Sequence, residues 1–385
     1  MYDFDNISNR NNSYSIKYDC LNNEIPMWVA DMDFKCAPSI LKAIKSRMKS
    51  ESFGYQYIPD SYFNAYINWW KRRYNFKIKK EWMLYSTGVV PSISSIVRRL
   101  TRPGEKVVIM SPVYNIFYNS IINNGRIINP SNLKYDNNGH FEIDFNDLES
   151  KMKDPLTTLL ILCNPHNPIG KIWNVEELER IKELSNKYNV YVISDEIHCD
   201  IKEPGLKYIP YLSVKGSNDK AIMLISATKC FSIPALQSSA IVVPNETLRF
   251  EVFRGINNDE VAEGNAFSID PIIAAFNKEE KWVDEMNEYV SINKKLFISE
   301  IESKTELKVV HSDATYLLFV DTSNVDIDGS RFVEKLRKET GIIVSKGEIY
   351  GENTKSFFRI NLATSKETVL KAINLIISFV NEYNN

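Results

Sequence analysis

The chain has 385 residues, enough for a full-sized core and more than one domain. Hydrophobic residues make up 44% and charged residues 25%, and 47 Lys and Arg against 49 Asp and Glu leave a net charge of -2. That balance suits a soluble globular protein and offers no strongly basic surface for nucleic acid or for membrane headgroups.

No apolar run approaches the length of a membrane span. The start, Met1-Tyr2-Asp3-Phe4-Asp5, has no charged-then-apolar signal pattern, so the expected compartment is the cytoplasm. Cys20, Cys36, Cys163, Cys199 and Cys230 are scattered and form no C-x-x-C pair, which predicts reduced thiols. His140, His166, His198 and His311 show no metal-ligand spacing.

In chain order, L-Y-S-T-G-V-V-P-S-I (84–93) joins a strand end to a helix start, and Pro91 suits the first helical turn. Apolar runs at 107–110, 159–162, 190–193, 221–225 and 241–243 predict strands covered on both faces. Between the second and third, Asn174 is a good N-cap with Glu177 three residues on. Val175, Leu178, Ile181, Leu184 and Tyr188 then recur at helical spacing. Strand, helix, strand implies a parallel pair with a right-handed crossover, so the core is α/β. Further on, 278–303 predicts a long charged helix and 316–320 a strand. A helix near 330–340, a strand at 357–362 and a helix over 366–381 follow. The expected division is an arm and part of a small domain in 1–50, a large domain in 51–280, and a small α+β domain in 281–385. The basic clusters 71–73 and 77–80 read as solvated surface.

In an open parallel sheet, ligands bind outside the carboxyl ends of the strands. Those ends are followed by C-N-P-H-N-P-I-G-K (163–171), S-D-E-I-H (194–198) and S-A-T-K (226–229). A lysine directly behind an apolar strand needs something to take up its charge. A lysine, a carboxylate and an anion-binding turn at one sheet edge match pyridoxal 5'-phosphate (PLP). The amine forms a Schiff base with the aldehyde, and the carboxylate keeps the pyridine nitrogen protonated. A helix N-terminus cradles the phosphate, and an aromatic ring covers one face of the cofactor.

Six motifs in this order resemble the fold-type-I, class I/II aminotransferase-like PLP enzymes over nearly the whole chain. They are T-G-V-V (87–90), S-P-V-Y-N-I-F-Y (111–118), N-P-I-G (167–170), D-E-I-H (195–198), S-A-T-K (226–229) and F-F-R-I-N (357–361). P-M-W-V-A-D-M-D-F (26–34) and F-G-Y (53–55) make it similar to the cystathionine β-lyase or cysteine C–S lyase branch. The resemblance implies the PLP-dependent transferase fold, with a mostly parallel seven-stranded sheet between helices in the large domain. It implies Lys229 and Tyr114 as catalytic residues, with Lys229 joined to the cofactor and Tyr114 stacked on its ring. Asp195 would pair with the pyridine nitrogen and Asn167 with the 3'-oxygen. Gly88, Val89, Val90 and Ser226 would hold the phosphate. Tyr55 would reach the phosphate of a neighbouring subunit, implying a homodimer. Arg359, with Asn167, would bind the substrate carboxylate.

Two positions depart from the general aminotransferase pattern. His198 stands where many relatives carry a tyrosine, and it joins the cofactor-binding candidates. Gln237 stands where many carry a phosphate-binding arginine; the lyase branch also lacks that arginine. The expected reaction is α,β-elimination from cystathionine, cysteine or a related S-substituted L-cysteine, with Lys229 removing the Cα proton. Transamination of an L-amino acid is the nearest rival. A regulatory or interaction protein on the same fold is the second.

Overall fold

The computed structural model describes residues 2–21 and 23–383. Seven strands form the main sheet, in the spatial order Met83–Ser86, Ser239–Val242, Ala221–Ile225, Tyr191–Asp195, Thr157–Cys163, Lys106–Ser111 and Ile127–Asn132. All but one share a direction. Ser239–Val242 runs antiparallel to both neighbours. Only residues 226–238 separate it from the preceding strand, and they hold no α-helix. A parallel return usually runs through a helical crossover; this link has no such helix and reverses the chain instead.

Alternate strand residues feed opposite faces, as the pleat requires. Val108, Leu160, Val192 and Met223 join one apolar core, while Val107, Leu159, Ile193 and Ile222 join another. That is why the runs are apolar throughout. The helix Val175–Tyr188 begins with the expected capping box: Asn174 Oδ1 accepts from the Glu177 amide, and Glu177 Oε2 accepts from the Asn174 amide, each at 2.8 Å. Leu178, Ile181 and Leu184 are buried beneath it, but Val175, expected in the stripe, is exposed in its first turn.

A second, four-stranded sheet carries Lys308–Val309, Leu317–Asp321, Phe357–Asn361 and Ser345–Lys346 in that order. The helices Gly329–Thr340 and Lys366–Tyr383 share its apolar core. The expected helix over 278–303 is Glu280–Lys304, separate from Asp270–Lys278 before it. The N-terminal arm joins this region, as Ile25–Pro26 pairs in parallel with Ile342–Ile343. Gly170 fixes the N-P-I-G turn against the 312–314 segment, where a Cβ would meet Ser312 Oγ at 2.1 Å and its φ of +70° already favours glycine.

One reading of the surface needs correction. Arg73 is not solvated: its side chain is only 11% exposed, lies 3.8 Å from Asp200 and pairs with Asp284 at 2.5 Å. Helical positions differ by about 100° each, so neighbouring basic residues face different surroundings.

Candidate active site

The strand Ala221–Ile225 ends in the turn that carries Lys229. The Nζ of Lys229 donates to the Ala30 carbonyl at 2.5 Å. That carbonyl belongs to the W-V-A-D-M-D-F stretch and also accepts the Tyr316 hydroxyl at 2.8 Å. Burial pushes the Lys229 amine down to about 8; Arg359 pushes the same way, while Asp31 and Asp195 oppose it.

Asp195 closes the adjacent strand Tyr191–Asp195 and is 5% exposed. Its Oδ1 accepts from the Ile197 amide at 3.1 Å. Burial raises its carboxyl to about 7, against the lowering effects of the Ile197 amide and Lys229. Arg359, on Phe357–Asn361, reaches in from the second sheet. It donates from Nη1 to Asn167 Oδ1 at 3.0 Å and from Nη2 to the Trp28 carbonyl at 2.9 Å. Its Nε is buried without a partner.

Tyr114 sits at the start of the helix Asn115–Ile122, and burial raises its hydroxyl to about 12. The Val113 amide beside it donates to the Tyr350 carbonyl at 2.9 Å, and the Tyr350 ring lies under Arg359, which brings the Tyr114 loop to the same hollow. His198 is buried with its Nδ1 unpartnered and its ring edge-on to Tyr316 at 6.4 Å. Desolvation, Lys229 and Arg359 lower it to about 3, so the imidazole is neutral.

Gly88 caps the helix Val89–Leu100. Helix geometry leaves the N–H groups of Gly88, Val89 and Val90 without intrahelical acceptors, the arrangement that binds phosphate. The Ser226 hydroxyl donates to the Ser238 carbonyl at 2.6 Å and must turn to face an anion. Gln237 adopts a left-handed conformation with its side chain in solvent. Tyr55 is fully exposed and makes no contact with this hollow.

The structure thus gathers Lys229, Asp195, Asn167, His198, Tyr114 and Arg359, with the helix start beside them. Sequence reasoning did not find the Ala30 carbonyl, Tyr316 or the Tyr350 ring beneath Arg359. The W-V-A-D-M-D-F stretch was visible as a motif, but what it contributes here is two backbone oxygens, Ala30 to Lys229 and Trp28 to Arg359.

The sequence profile of the aminotransferase class I and II family matches residues 23–376. The chain belongs to this family. Cystathionine β-lyase PatB of Bacillus subtilis (strain 168) is 34% identical, over 97% of this chain and 98% of its own. Cystalysin from Treponema denticola, a structure containing PLP, superposes with a TM-score of 0.95 at 27% identity, covering 99% of each chain. The PLP-bound C–S lyase from Staphylococcus hominis has a TM-score of 0.92 at 30% identity, covering 98% of each. The fold is the PLP-dependent transferase fold. The residues present also suit that group. A buried carboxylate without a cation fits a protonated ring nitrogen, a lysine without a carboxylate fits an aldehyde, and the free helix start fits a phosphate.

Proposed function

We propose that this chain is a PLP-dependent C–S β-lyase. With one water consumed, it cleaves cystathionine, cysteine or a related S-substituted L-cysteine to a thiol (sulfide from cysteine), pyruvate and ammonia. The observation that carries the reading is the incomplete pairing of Lys229 and Asp195 in one hollow with Arg359. The likeness to PatB, cystalysin and the Staphylococcus hominis lyase favours elimination over transamination.

Bound here, PLP supplies an electron sink for the pair released at Cα. The chain does the rest. Arg359 holds the substrate carboxylate with its guanidinium fork, and Asn167 fixes the fork's angle. Lys229 takes the Cα proton at Nζ; an amine near 8 is partly neutral at physiological pH and can act as a base. Asp195 holds the proton on the ring nitrogen, and Tyr114 covers the ring face. Gly88, Val89 and Val90 with Ser226 hold the phosphate, and the neutral His198 imidazole borders the cofactor without adding charge.

Tyr55 is assigned to the phosphate of a second copy, which makes the working unit a homodimer. Its full exposure in one protomer leaves it free for that contact. Among the described residues no helix is long and apolar enough to cross a membrane, and we assign the enzyme to the cytoplasm. The division near residues 50 and 280 is part of the same reading.

The test uses purified holoenzyme with cystathionine and no 2-oxo acid. Steady pyruvate release is expected. Turnover that requires an added 2-oxo acid would replace the lyase by an aminotransferase.

A further inference from the structure

Residues 347–354 run from the second sheet to the loop that carries Tyr114. Tyr350 is 1% exposed, and the Arg359 guanidinium lies over its ring at 4.9 Å. The Tyr350 carbonyl faces the other way. It accepts from the Val113 amide at 2.9 Å and from the Tyr118 hydroxyl at 2.8 Å. Val113 precedes Tyr114, and Tyr118 lies one helical turn after it. One residue therefore touches the carboxylate anchor with its ring and the cofactor-stacking loop with its backbone. Gly351 permits this close approach: a Cβ there would meet Ser111 Oγ at 2.2 Å and Pro112 Cα at 3.4 Å.

Arg359 needs this support. Nη1 and Nη2 each have a single oxygen partner, and Nε has none. Two hydrogen bonds at the tips leave the guanidinium plane free to tilt. A ring beneath it removes that freedom and adds a cation–π attraction in a desolvated setting.

We propose that Tyr350 is a positioning residue that couples the Arg359 carboxylate anchor to the Tyr114 loop. Its ring sets the plane of the guanidinium fork, and its carbonyl ties that plane to the aromatic cover of the cofactor. The inference rests on the reading of Arg359 as the carboxylate anchor, and the test separates the two.

Holoenzymes of the wild type, Tyr350→Leu, Tyr350→Phe, Gly351→Ala and Arg359→Gln are titrated with glycine and with methylamine. Cofactor absorbance reports binding. Methylamine is glycine without its carboxylate. Tyr350→Leu is expected to weaken glycine about tenfold and leave methylamine unchanged, and Tyr350→Phe to restore the wild-type value. With cystathionine, Tyr350→Leu should raise KM more than it lowers kcat. Gly351→Ala is expected to weaken glycine and to alter the cofactor absorbance without any ligand, because Tyr114 shifts. Tyr350→Met replaces the leucine variant if that one does not fold. Unchanged glycine affinity in Tyr350→Leu, or equal weakening of glycine and methylamine, overturns the inference. Gly351→Ala with wild-type absorbance and glycine affinity overturns the link to the Tyr114 loop. Unchanged glycine affinity in Arg359→Gln overturns the anchor reading itself.

Discussion

Lys17 is fully withdrawn from solvent and Lys229 partly so, but only one of them is answered. Lys17 is 1% exposed and meets Asp33 at 2.8 Å, with Asp31 at 3.9 Å. Lys294 is paired in the same way, with Glu203 at 2.9 Å and the Ser312 carbonyl at 3.0 Å. Lys229 has a backbone carbonyl and no carboxylate partner. The carboxylates divide likewise. Asp200 accepts from Trp69 at 3.0 Å and from the Tyr74 hydroxyl, and lies beside Arg73. Asp195, five residues earlier on the same segment, has one amide on Oδ1 and the distant field of Lys229. A buried charge that is answered within the chain holds the fold together. One that is left open is a place where a ligand completes the pairing.

The largest break of this contrast comes at Lys229. Lys229→Ala should lower pyruvate release by at least about a thousandfold and abolish the absorbance of lysine-linked cofactor. Its thermal transition should stay at or above that of the cofactor-free wild type, because the lost amine had no charge partner. A marked fall in stability would show that Lys229 belongs with the structural lysines. Lys17→Met should act in the opposite way. It strands Asp33 without its cation, at a cost of about 3–5 kcal/mol in denaturant unfolding. A loss below about 1 kcal/mol would place this pair with exposed ones.

Much of the contrast was legible in the chain. The apolar runs and the Asn174–Glu177 cap located the strands and one crossover helix. The order of motifs after the strands pointed to the residues that the fold brings together in one hollow. Other features carry no residue signature. Ile127–Asn132 is an edge strand whose Ile127 is exposed and which contains Pro130, so it lacks a continuous apolar run. The antiparallel run of Ser239–Val242 was hidden because hydrophobic periodicity has no direction. The Ala30 carbonyl belongs to a backbone that any residue possesses. Tyr316 and Tyr350 enter from the second sheet, and only tertiary packing brings them to Lys229 and Arg359. Arg73 shows the reverse failure: in sequence it is one of three basic neighbours, and in the fold it closes the Asp200 network.

The most discriminating comparison needs the cofactor-free protein. Burial raises the Asp195 carboxyl from its ordinary 3.8 to about 7. Its folded form therefore holds a proton more tightly than its unfolded form. A raised acid favours the fold below about pH 4, and that contribution is lost as pH rises toward 7. Above that, the folded chain carries a buried charge that Asp195→Asn lacks. The variant should match the wild type near pH 4 and exceed it at pH 8, read as a higher denaturant midpoint with unchanged slope. Asp200 is also raised by burial, but Arg73, Tyr74 and Trp69 all oppose the shift. Asp200→Asn leaves Arg73 short of a carboxylate and strips an acceptor from Trp69 and Tyr74. It should lose about 1–3 kcal/mol at pH 8. Opposite signs for two buried aspartates five residues apart would separate a site waiting for its ligand from a network already complete. The same sign for both would erase that distinction, since burial alone would then account for Asp195.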